Sequence, residues 1–151
     1  MTETERIYDQ IKRAYSGEAW HGPSFREVLI GVTAAQAAAR PIRNGHSIWE
    51  IVSHVSAWTE VVRQRMQGRP TGQPDEGDFP ETTDTGEAAW KKTLAALETS
   101  HEALLRDVAT LDESRLEEPC GGRPISYYIH LHGTVHHYIY HAGQIALLKK
   151  L

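Results

Sequence analysis

A single cysteine, Cys120, stands among the 151 residues of this chain, so no internal disulfide framework staples the fold. No apolar run approaches the ~20 residues needed to cross a bilayer. The first ten residues lack the apolar stretch of a secretory signal, and the expected location is the cytoplasm. Cations are not in surplus either. Lys and Arg total 16 against 20 Asp and Glu, a net charge of −4, which argues against binding a nucleic-acid backbone. No alternating apolar and polar run reads as a strand, and no internal repeat is visible. His-Glu-x-x-His, the zinc-protease signature, is absent. What the chain does have is a hydrophobic fraction of 40%, four Trp and nine His. That apolar content suffices for one folded domain spanning residues 1–151.

Apolar spacing divides the chain into helices. Ile7, Ile11, Ala14 and Tyr15 recur at three- and four-residue intervals and predict a helix over 4–16. Pro23-Ser24 opens a short helix through Leu29, and the Ala-rich stretch 33–40 predicts another. Ser47 with Glu50 three residues later is a capping box. It starts a helix over 48–67, which Gly68 closes. Residues 69–86 hold Pro70, Pro74, Pro80, Gly72, Gly77 and several acids, so they predict a solvated loop. A long helix follows from Glu87. A second loop, 111–123, contains Cys120, and a last helix runs over 124–149 with Pro124 in its first turn. The fold class expected is all-α, a four-helix bundle with short extra helices near the N-terminus. A helix of 20 residues is roughly 30 Å long. The loop after Gly68, at full extension, can span on the order of 60 Å, whereas antiparallel neighbours need only a short turn. The second and third long helices are therefore expected to run parallel.

Five of the nine histidines lie between His130 and His141, and no Asp or Glu occurs from Arg123 to Leu151. Without a local anion, protonated rings would repel one another, so some should be neutral, buried or metal-bound. On a helix His137 and His141 fall about 40° apart, one turn from each other. Such a pair can put two imidazole nitrogens on one ion. His132 and His136 form a second pair facing elsewhere, and His130 lies on the face of His137 about two turns away. The third ligand expected is His54, whose height in its helix matches His141 if the two helices pack antiparallel. His21, His46 and His101 are expected to be packed histidines. Glu50 is expected to cap its helix, with an orienting contact to His54 as the other role open to it. Gln144 can bond a ligand or face a neighbour. Tyr138 and Tyr140 are expected in packing, and Asp75, Glu76 and Asp78 in solvent.

Two stretches, His46 to Val55 and His132 to Ile145 with its ending His141-Ala142-Gly143-Gln144, together with Ser16 to Pro23, resemble the DinB-like, or YfiT-like, family of metal-dependent hydrolases. The resemblance covers nearly the whole chain. Tyr138 stands where an Asp is common in the family, a departure that touches the surroundings of the site. The resemblance implies an up-down-down-up four-helix bundle and a divalent-metal site carried by His54, His137 and His141. The ion expected is Zn or Ni, with Fe or Mn as further options. It also implies a homodimer. Members with known activity include transferases that use low-molecular-weight thiols. The function expected is therefore a hydrolase or thiol S-transferase acting on a small molecule. The rivals are a metal-binding stress or ligand-binding protein without turnover, and a structural helical dimer whose histidines merely pack.

Overall fold

Five of the six α-helices start where a side chain satisfies free N–H groups of the first turn. A computed structural model describes residues 1–151. In it Thr2 caps α1 (Glu3–Ser16), Ser24 caps α2 (Phe25–Val28), Thr33 caps α3 (Ala34–Ala38), Ser47 caps α4 (Ile48–Met66) and Ser126 caps α6 (Tyr127–Leu148). Thr2, Ser24 and Ser47 form full capping boxes with Glu5, Glu27 and Glu50. The fifth helix in chain order, α5 (Glu87–Ala109), begins at Gly86 with no side-chain cap. One 3₁₀ turn, Glu113–Arg115, interrupts the loop before α6. There is no strand, only one isolated bridge between Pro119 and Ser126. The all-α expectation holds. Pro124 does not lie in a first turn, because Ser126 caps α6 two residues later.

Side-chain contacts give the directions of the long helices. Trp49 meets Trp90, Ser56 meets Ser100 and Arg63 meets Asp107. Numbers rise together, so α4 and α5 run the same way. Between α4 and α6 they run oppositely: His54 meets His141, Thr59 meets Tyr138 and Arg65 meets His130. This is the antiparallel pairing that brings His54 level with His141. The first helix packs on α5 and α6, and α3 leans on α4 and α5.

The core is one cluster. Ile7, Ile11 and Tyr15 of α1 join Val52 and Val55 of α4, Trp90, Leu97 and Leu104 of α5, and Leu131, Tyr138 and Ile145 of α6. Each such side chain contributes roughly 1.5–3 kcal/mol by leaving water. Trp90 carries the N-terminal end of α5. It packs on Trp49 and donates its indole N–H to the carbonyl of Val32 at 2.9 Å. His101 is the packed histidine expected. It stacks on Tyr15 at 3.8 Å and has one hydrogen bond, between Nδ1 and the Tyr138 hydroxyl. Burial pushes its pKa down to about 3. His21 and His46 differ from expectation, since both are exposed. Cys120 is fully buried, and burial pushes its thiol up to about 11. The turn beyond it needs glycine. Gly121 has φ +61, and a Cβ there would lie 2.7 Å from the Arg69 carbonyl and 2.8 Å from Arg65 Cα. That close approach seats the loop before α6 on the end of α4.

Candidate metal centre

Three imidazoles converge where α4 crosses the second half of α6. His54 Nε2 lies 2.9 Å from His137 Nε2, and His141 Nε2 lies 3.1 Å from the same atom. All the candidate ligand atoms of the three residues lie within 4.8 Å of one another. His54 and His141 are buried and His137 is half-buried. The one-turn spacing of His137 and His141 sets two of the rings, and the antiparallel passage of α4 supplies the third.

The other ring nitrogens fix which atoms face inward. His54 Nδ1 is 2.6 Å from the main-chain carbonyl of Asp78, which can only accept, so this nitrogen carries the proton. His141 Nδ1 donates likewise to Gln144 Oε1 at 2.6 Å. The Nε2 atoms of both rings are therefore bare lone pairs aimed at His137. A neutral His137 has at most one proton to offer there, so at least one close contact sets lone pair against lone pair. A cation between them removes the conflict. At the ~2.0–2.1 Å of a metal–imidazole bond, two nitrogens on one ion stand about 2.9 Å apart at a right angle and about 3.3 Å apart at the tetrahedral angle. The observed separations of 2.9 and 3.1 Å belong in or near that range. The donor set fits a divalent transition metal, and the three histidines can hold one.

Electrostatics agrees with neutral rings. Burial, followed by the nearby rings of His141 and His54, pushes His137 down to about 3. Burial also lowers His141, to about 4, against the opposing hydrogen bond to Gln144. Neutral imidazole is the form that ligates.

The loop over the site is not simply solvated. Phe79 stacks on His54 at 4.2 Å and on His46 at 3.5 Å between ring centroids. Trp58, one turn after His54, donates its indole N–H to Asp78 Oδ1 at 2.7 Å, and that oxygen lies 3.2 Å from His54 Nδ1. Asp78, Phe79 and Trp58 were not among the residues expected here. The available signal was Phe79, the lone aromatic in the polar segment 69–86. Glu50 caps α4 and pairs with Arg40, while His54 donates its Nδ1–H to the Asp78 carbonyl. His132 stands apart, stacked on Tyr128 at 4.3 Å. His130 bonds Arg65 and the Ser126 carbonyl. His136 is exposed.

Residues 19–145, with all three histidines among them, match the DinB superfamily. The chain belongs to the DinB superfamily. No curated protein and no solved structure matches it. Within this DinB chain Gln144 is the clearest supporting residue, because its amide oxygen fixes both the tautomer and the tilt of His141. Gln144→Leu is expected to weaken Zn²⁺ binding about 10–100-fold without unfolding the protein. Competition with a chromophoric chelator measures this. An unchanged affinity would mean that packing alone orients His141.

Proposed function

We propose that His54, His137 and His141 ligate one divalent ion, Zn²⁺ or Ni²⁺ before Fe²⁺ or Mn²⁺, in a metal-dependent enzyme of the hydrolase or thiol S-transferase type. The four long helices then read as an up-down-down-up bundle with the ion near one end. The observation that carries this is the convergence of three Nε2 atoms, two of them held as lone pairs by acceptors behind them. Neutral imidazole ligands of this kind suit these ions. Bound there, the ion supplies a Lewis acid and lowers the pKa of a water or thiol beside it. The chain's own residues do the rest. The Asp78 carbonyl and Gln144 orient two rings, Phe79 covers His54, and a cavity beside His137 admits a small molecule. That cavity favours turnover over a closed structural site. The partners proposed are a small-molecule substrate, with a low-molecular-weight thiol as cosubstrate for the transferase reaction, and a second copy of the chain.

Thermal unfolding from pH 8 to pH 5, with Zn²⁺ and with chelator, tests the centre. His137 and His141 have folded pKa values below the ordinary 6.5. Between the folded and unfolded values the unfolded chain binds more protons, so stability is full above about 6.5 and falls as pH drops below it. Metal holds the rings neutral more strongly and steepens the loss. A large gap between the two curves at pH 8 that closes towards pH 5 is expected. Coincident curves at pH 8 with metal in excess would leave the three rings as packed residues. A protein that binds metal but turns over no ester, amide or thiol–electrophile pair would be a binding protein.

A further inference from the structure

Next to the histidine cluster lies a cavity of about 280 Å³. Its walls are Trp58 and Val62 from α4, Ile129 and Gly133 from α6, and Ile125 from the preceding loop, with His137 contributing on the metal side. Arg65 and His130 line it as well. Seven residues of helix, about 10 Å, separate His130 from His137, so the cavity runs from a guanidinium to the cluster.

The charge of Arg65 is unusual. The residue is only 7% exposed, yet none of the protein's ion pairs includes it. Its partners are neutral. Nε donates to the Thr71 carbonyl at 2.8 Å and Nη2 to the Gly72 carbonyl at 2.6 Å. Nη1 donates to His130 Nε2 at 3.2 Å. The guanidinium also lies over the Trp58 ring, 5.7 Å from its centroid. A guanidinium has five N–H groups, so two are left unused. Arg123 adds a second positive charge nearby, and its buried Nε has no hydrogen-bond partner. The helix opposite offers no relief, since Arg123 to Leu151 contains no acid. Burial and the charge of Arg123 both lower the pKa of Arg65. Buried charges are ordinarily paired, and no anion is among the partners of Arg65.

We propose that this cavity binds a small carboxylate with an apolar body, its negative group on Arg65 and its body against Trp58, Val62 and Ile129, so that the far end reaches His137. This names the substrate class for the metal centre and rests on that reading. An acid with an apolar chain satisfies both halves of the wall. Inorganic phosphate satisfies only the guanidinium.

Calorimetric titration of metal-free protein with octanoate, 1-octanol and inorganic phosphate tests the proposal apart from the metal. Octanoate is expected to bind, with the alcohol and phosphate each at least about tenfold weaker. Arg65→Met is expected to cost octanoate about tenfold or more in affinity. The titration is run on metal-free protein, so the seat of the anion on Arg65 is read without any ion at the histidines. Failure of the metal reading would therefore leave this result standing. Because Arg65 also ties Thr71 and Gly72 to α4, its loss can loosen the fold, and a second variant is needed. Nothing lies within 4 Å of a Cβ built on Gly133. Gly133→Leu should fill the cavity, abolish octanoate binding and keep or raise the melting temperature. Four results would overturn the proposal: no octanoate binding, equal binding of octanol, phosphate as tight as octanoate, or full octanoate binding by the Gly133→Leu protein.

Discussion

His137→Ala is expected to abolish tight binding of Zn²⁺ or Ni²⁺, raising the dissociation constant by at least about a hundredfold. His132→Ala is expected to change it by less than about threefold. His137 Nε2 is the atom common to both short contacts, 2.9 Å from His54 and 3.1 Å from His141. Its removal leaves two nitrogens from different helices and opens the middle of the set. His132 lies five residues before His137 on the same helix, turned to Tyr128. The two substitutions remove the same chemical group from the same helix, so general damage to α6 would affect both. Equal loss in the two variants would place the ion elsewhere. Direct titration of tag-free protein, with metal content checked by elemental analysis, decides it.

Replacing residues 69–86 by a four-residue turn is expected to prevent native folding. The reason is direction. Trp49, Ser56 and Arg63 of α4 meet Trp90, Ser100 and Asp107 of α5 in the same order. The chain leaving α4 must therefore travel back along the helix before α5 can start. With 19 residues, α4 is about 28 Å long. Four residues reach at most about 14 Å. The shortened chain cannot keep α5 in place, so Trp90 and Leu97 lose their seats in the core. The deletion also removes the Asp78 carbonyl and Phe79 from His54. Circular dichroism, cooperative melting and metal titration should all fail together. A shortened protein that melts and binds metal like the parent would show α4 and α5 to be antiparallel neighbours.

Much of this is legible in the amino-acid sequence, and the reasons are local. Ser47 and Glu50 announce the start of α4 because capping is a contact between residues three apart. His137 and His141 announce a shared face because helical geometry fixes it over one turn. The length of the 69–86 segment carried the direction of α5, since a chain has a limited reach. What stayed hidden depends on contacts across the molecule. Asp78 and Phe79 lie in a segment whose Pro, Gly and acid content reads as solvent-facing, and only the path of the loop brings them over His54. Arg65 reads as a surface cation at the end of α4. It is buried because the Gly121 turn and the residues after Arg69 close around it. His21 and His46 were expected in packing and lie at the surface, because their loops run outside the core cluster.

The hydrogen bond that aims His54 ends on a main-chain oxygen, not on a side chain. Every amino acid at position 78 carries that oxygen. A substitution at position 78 would keep this acceptor and lose only the side-chain oxygen that holds Trp58. What aims the ring is the course of the segment from Arg69 to Gly86, which carries the Asp78 carbonyl and Phe79 over His54. The acceptor behind this ligand is thus set by the path of a loop and not by any one side chain.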